Sequence, residues 1–212
     1  MDSGQQSERP ENSEPAESLR PWLKRIGIGV MLIAALRLLT AVFFGRADAG
    51  AEIDAYRGVA VYNQVEVDSA GPEIHRAADG FVFGPKWSDA EFVRRFFHEV
   101  HGTDIAGQLS QSADWFNDDL KHGAFNRAVG LLQYRNGGDE APRTGDLIVL
   151  RRAGAPQVGV ICGIDDFDVE VIRQDARGGT RITLTLRNDR DVYILDAPGG
   201  VLGWMRPRID GP

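Results

Sequence analysis

The chain has 212 residues, 42% of them hydrophobic and 26% charged, which suits one globular domain with appendages. Its net charge of −7 includes no basic stripe, which argues against a nucleic-acid partner. The single cysteine, Cys162, excludes an intrachain disulfide, and the absence of a His/Cys cluster at zinc spacing leaves no metal or other cofactor to expect.

Residues 1–18 hold Ser, Glu, Gln and Pro with almost no large apolar side chain, a composition that cannot offset the entropy of folding; a disordered cytoplasmic tail is expected over 1–25. Residues 26–44 are then apolar apart from Gly27, Gly29, Arg37 and Thr40, and at about 1.5 Å per residue they span about 28 Å, close to the thickness of a bilayer core. The reading is one transmembrane helix. Arg20, Lys24 and Arg25 with Trp22 crowd its N-terminal flank, so the positive-inside rule puts the N-terminus in the cytoplasm and the domain outside the cytoplasmic membrane. A cleaved signal peptide ending near Ala47, Asp48 and Ala49 is the alternative, although Arg37 interrupts its apolar region.

A linker of Ala, Gly and Asp is expected over 45–56, and the folded domain over 57–212. GVAVYN at 58–63 alternates like a short strand. In GPKWSDAEFVRRF, residues 84–96, Ser88 followed three residues later by Glu91 matches a capping box. Val93, Phe96, Phe97 and Val100 then recur on one helical face, which places Asp89 in the first turn. Residues 112–120 (SADWFNDDL) suggest a second short helix. From Gly145 onward GDLIVLRR, QVGVICGI, DVEVIRQD, TRITLTLR and DVYILDA read as strands, rich in β-branched residues and separated by Gly, Asp or Pro. Helices first and strands afterwards predict an α+β domain with segregated layers. Among its neighbours Val160, Ile161 and Ile164, Cys162 reads as a small buried strand residue.

The same segments, in order, resemble a CHAP domain, the cysteine- and histidine-dependent amidases: YRGVAVYN (56–63), GPKWSDAEFVRRF (84–96), SADWF (112–116), PRTGDLIVL (142–150), APQVGVI (155–161), VEVIRQD (169–175) and VLGWM (201–205). The likeness is strongest to the amidase domain of glutathionylspermidine synthetase/amidase. It implies a papain-like fold, with an N-terminal helix layer packed on an antiparallel sheet. Trp87, Glu91, Phe92, Arg94, Arg95, Gly145, Asp146, Val158, Gln174, Gly203 and Trp204 fit the family pattern. The positions of its catalytic machinery do not: the cysteine position is Asp89, the histidine position Gln157 and the asparagine position Asp175, with Arg173 where the pattern has glutamate.

Amide hydrolysis of that kind needs a thiolate nucleophile and an imidazole that protonates the departing amine. Aspartate is a poor nucleophile toward amides, and Gln157 cannot titrate. His98 and His101 lie about 14 to 18 Å along the helix from Asp89 at the usual rise, and His75 and His122 read as loop packing or surface residues. No catalytic residue is therefore expected, and Asp89, Gln157 and Asp175 read as vestigial positions. Trp87, Asp89, Gln157, Arg173 and Asp175 are the expected ligand-binding set. The functional reading is a membrane-anchored, inactive amidase relative that binds a peptide-like ligand, such as a cell-wall peptide, or a protein partner, with the membrane engaged through 26–44. An amide hydrolase working through Asp89 and Asp175, and a purely structural assembly role, are the alternatives.

Overall fold

The computed structural model describes residues 50–63, 73–105, 115–153, 156–175 and 179–208. The tail of residues 1–25, the apolar run 26–44 and residues 45–49 of the expected linker lie outside them. No helix among the described residues is long and apolar enough to cross a membrane.

The domain begins one element earlier than its sequence suggests. Residues expected to end the linker form β1 (Glu52–Tyr56), which pairs antiparallel with β2 (Val59–Tyr62) in a two-stranded sheet. Arg57 and Gly58, both at positive φ, make the two-residue turn between them, with Tyr56 opposite Val59. Consecutive positive φ values match the right-handed twist of a tight hairpin. A second hairpin joins β3 (Ile74–Arg76) to β4 (Val82–Pro85).

The helix, α1 (Asp89–His101), starts where the sequence places it. Ser88 is the N-cap, its Oγ accepting from the Glu91 N–H at 3.1 Å. Glu91 does not reach back to complete the capping box, because its carboxylate is fully buried on His75 and Arg95. At the other end Gly102 adopts the left-handed conformation, the Gly102 N–H bonding His98 and the Thr103 N–H bonding Phe97, which satisfies carbonyls the helix would otherwise leave open. Phe92, Val93, Phe96 and Phe97 are buried against Val59 and Val61 of the first hairpin.

The remaining strands are β5 (Ala124–Asn126), β6 (Leu131–Arg135), β7 (Leu147–Leu150), β8 (Gln157–Asp165), β9 (Asp168–Ile172), β10 (Arg181–Asp189), β11 (Val192–Asp196) and β12 (Val201–Arg206). They form one antiparallel sheet in the order β11-β10-β9-β8-β7-β12-β6-β5. Alternation sorts their side chains into two cores. Leu147, Val149, Val158, Val160, Ile172 and Met205 face the helix, whereas Ile148, Leu150, Ile161, Val171, Leu184, Leu195 and Trp204 make a second core on the opposite face. The sheet curls over that second core. The turn after β6 covers the β11 edge: the Asn136 side chain bonds both the N–H and the carbonyl of Leu195, and Gly137 and Gly138 bond Tyr193. Edge groups that would otherwise be open to another chain are thus paired within the domain.

This architecture corrects the α+β class and the papain-like layering expected from the sequence. The described part is predominantly β, with a single α-helix beside a large antiparallel sheet. The helix expected over 112–120 does not continue through its described part. Trp115 enters the core, and the chain then turns, with the Asn117 side chain accepting from the Asp119 N–H. Asn and Asp side chains that bond nearby backbone amides offer an alternative to helical pairing. The following residues, for which no element is expected, supply β5 and β6. Cys162 lies at the irregularity between Ile161 and Gly163 in β8, half-buried, with its thiol donating to Glu170. Burial, then the Glu170 side chain, pushes that thiol up to about 12, which leaves it protonated and unreactive at neutral pH.

Candidate functional site

The start of α1, the start of β8 and the three residues after β9 meet at one end of the sheet. Asp89 contributes from the helix: its Oδ2 accepts from the Val158 N–H of β8 at 3.3 Å, and its Oδ1 from the Ala90 N–H at 3.0 Å. Burial moves this carboxyl above its ordinary range. The backbone N–H groups pull the other way, and the charge of Asp175 adds to the rise.

Gln157, first residue of β8, and Arg173 and Asp175, just past β9, form a closed ring of contacts. The Arg173 Nη1 donates to the Gln157 Oε1 at 2.5 Å, the Gln157 Nε2 donates to the Asp175 Oδ2 at 3.2 Å, and Arg173 pairs with the same carboxylate oxygen at 3.2 Å. All three residues are buried. Arg152, at the exposed rim, approaches Asp175 at 3.5 Å. Burial lowers the pKa of Arg173, while the Asp175 carboxylate holds its proton in place. The order of Gln157, Arg173 and Asp175 around the ring follows from antiparallel pairing of β8 with β9, which sets Val160 opposite Ile172 and leaves both strand ends at this site.

Gln174 points away from its neighbours in the ring. Its Oε1 accepts from the Tyr62 N–H at 3.1 Å and its Nε2 donates to the Tyr62 carbonyl, so one amide side chain ties β2 to the end of β9. Beside it, Trp87 stands in the left-handed region at φ 61, rare for a bulky residue. Its indole packs on Tyr62 with ring centroids 3.9 Å apart and meets the edge of His75 at 5.6 Å, with Lys86 over the ring at 5.7 Å. Tyr62 also carries the Arg95 guanidinium on its face at 5.1 Å. Beneath this wall, the Glu91 Oε1 accepts from Arg95 at 2.8 Å and from His75 Nδ1 at 2.7 Å.

The geometry therefore brings together Asp89, Gln157, Arg173 and Asp175 from three separated segments, with Trp87 two residues before Asp89. Two members of the neighbourhood escaped sequence reasoning. Arg152 left only the Arg151-Arg152 pair as a signal, and His75 reads from the sequence as a loop residue, whereas it lies in β3 against Glu91. The other histidines are engaged elsewhere: His98 bonds Asp104 at 2.7 Å, His101 packs on Phe96 and Phe97, and His122 accepts from the Arg135 N–H. No group of His, Cys, Asp and Glu suited to a metal occurs among the described residues. Chemically, the ring at Gln157 provides fixed hydrogen-bonding groups and a paired guanidinium, but it contains neither a thiolate nor an imidazole. No protein-family model matches this chain, and no curated protein is similar enough to count as a relative.

Proposed function

We propose that this domain is a binding module built on an inactive amide-hydrolase site of the CHAP type. In this reading it is held at the cytoplasmic membrane by the apolar run 26–44, with the domain outside. It engages a peptide-like ligand such as a cell-wall peptide, or a protein partner, through Trp87, Asp89, Gln157, Arg173 and Asp175. The observation that carries the reading is the Arg173 guanidinium between Gln157 and Asp175. At the places where an amidase needs a base and its orienting group, the side chains already satisfy one another, and the carboxylate at the nucleophile position is spent on the Val158 amide. Such a site retains amide-sized polar chemistry and an aromatic wall, with neither a thiolate nor an imidazole at the positions an amidase of this type uses.

The test is calorimetric titration of the purified protein with muropeptides and short peptide amides, with released amine followed in the same samples. Saturable binding without release, weakened by Trp87→Ala, supports the reading, and the absence of saturable binding would remove it. Protease added to intact spheroplasts tests the location, since a domain outside the membrane is digested without lysis.

A second reading, an amide hydrolase working through Asp89 and Asp175, draws on one observation: the Asp89 carboxyl is shifted upward by burial, with the Asp175 charge contributing. A carboxyl pair that shares a proton behaves in this way. Its partner is already neutralised by Arg173 and Arg152, which favours the binding module.

A further inference from the structure

The Glu91 carboxylate is fully buried in the first turn of α1, and its Oε2 has no hydrogen-bond partner among the described residues. Its contacts with Arg95 and His75 both fall on Oε1. An ionised carboxylate only accepts, so in the neutral imidazole the hydrogen sits on Nδ1 and the lone pair on Nε2. That second nitrogen bonds nothing among the described residues. The ring is held by the edge contacts with Phe83 at 5.2 Å and Trp87 at 5.6 Å, and its side chain is a quarter exposed. A buried acid has thus fixed both the tautomer and the direction of a partly exposed imidazole, next to the aromatic pair Trp87 and Tyr62.

We propose that His75 is a recognition residue of the binding site, whose Nε2 accepts an N–H from an amide or amine of the ligand while Trp87 packs against the ligand's flank. The proposal rests on the binding-module reading and gives it a chemical class: the bound group is a hydrogen-bond donor. A carboxylate or phosphate presented to the same nitrogen has no hydrogen to give. Glu91 acts as the positioning residue, since it touches the imidazole and not the ligand. The left-handed backbone of Trp87 fits this role, because it turns the indole to the side of the helix start where His75 lies.

Two measurements separate this inference from the reading beneath it. Nitrogen NMR of His75 in the wild-type protein, under conditions where its own spectrum shows a neutral ring, should show the hydrogen on Nδ1. Glu91→Gln should redistribute it, and a hydrogen on Nε2 in the wild type would overturn the proposal with no ligand involved. The second is titration with the dipeptide amide alanyl-glutamine amide and with acetate, a carboxylate that carries no N–H. The amide should move the His75 Nε2 resonance, and His75→Phe, which keeps a ring, should lower its affinity about tenfold, the scale of one hydrogen bond. Equal amide affinity in wild type and His75→Phe would sink the role of His75 and leave the binding module standing. No binding of either probe by the wild type would sink both, and preference for the carboxylate would overturn the donor class alone.

Discussion

Arg173 donates from Nη1 to the amide oxygen of Gln157 at 2.5 Å, and this contact turns the Gln157 nitrogen toward Asp175. It bears on what a histidine introduced at Gln157 would meet. In Gln157→His the imidazole stands beside a buried guanidinium, and its protonated form is disfavoured by like charge. We expect Gln157→His to lose about 1–3 kcal/mol of stability in urea denaturation, because Arg173 is left short of an acceptor. Asp89→Cys/Gln157→His should remain without amide turnover while Arg173 is present. Turnover by that double variant would show that Arg173 does not obstruct the site.

The bond from Gln174 to Tyr62 joins two sheets that pair with no common strand. Gln174→Ala leaves the Tyr62 N–H and carbonyl without this partner, at a cost of about 1–3 kcal/mol. The loss should be local, so hydrogen exchange at Tyr62 accelerates while Leu147 and Val149 keep their protection. Uniform acceleration across the sheet would show that β1 and β2 unfold only with the whole domain.

Asp146 ends the turn before β7, buried against Arg206 at 2.8 Å. Burial outweighs the arginine and raises its carboxyl from 3.8 to about 6. A folded-state value above the unfolded one means that the folded protein holds the proton more tightly, so stability is greatest below about 4 and falls as pH rises to about 6. Thermal unfolding of wild type and Asp146→Asn across that window should show a steeper downward slope in the wild type, because the raised carboxyl of Asp89 contributes to both proteins. Equal slopes in the two proteins would show that Asp146 contributes nothing to the pH dependence.

How much of this was legible in the sequence depended on where the signal was stored. Ser88 and the spacing of Val93, Phe96 and Phe97 are local, and they located α1 correctly. The strands after Gly145 were legible because β-branched runs there are broken by Gly and Asp. β1 was hidden, since Glu52–Tyr56 is mostly exposed and reads as a polar linker; only its pairing with β2 and the bonds from Arg181 to Asp54 make it a strand. β5 and β6 carry Ala, Leu and Gln, which suit a helix as well as a strand, and their pairing with β12 decides the matter. The meeting of Asp89, Gln157 and Asp175 was read through motif resemblance rather than from periodicity. Arg173 as the bridge, and Glu91 as the partner of His75, are contacts between distant segments that no local pattern encodes.

Hydrolysis separates a site that only binds from one that also cuts. Purified wild type, Asp89→Ala and Asp175→Ala are incubated with muropeptide and γ-glutamyl amides, and released amine is quantified against an enzyme-free control. For a binding module, no release above the control is expected from any of the three proteins. Clear wild-type turnover abolished by Asp89→Ala would contradict it and establish the carboxyl-pair hydrolase. Turnover that survives both substitutions would contradict it as well and place the reacting residues outside this site.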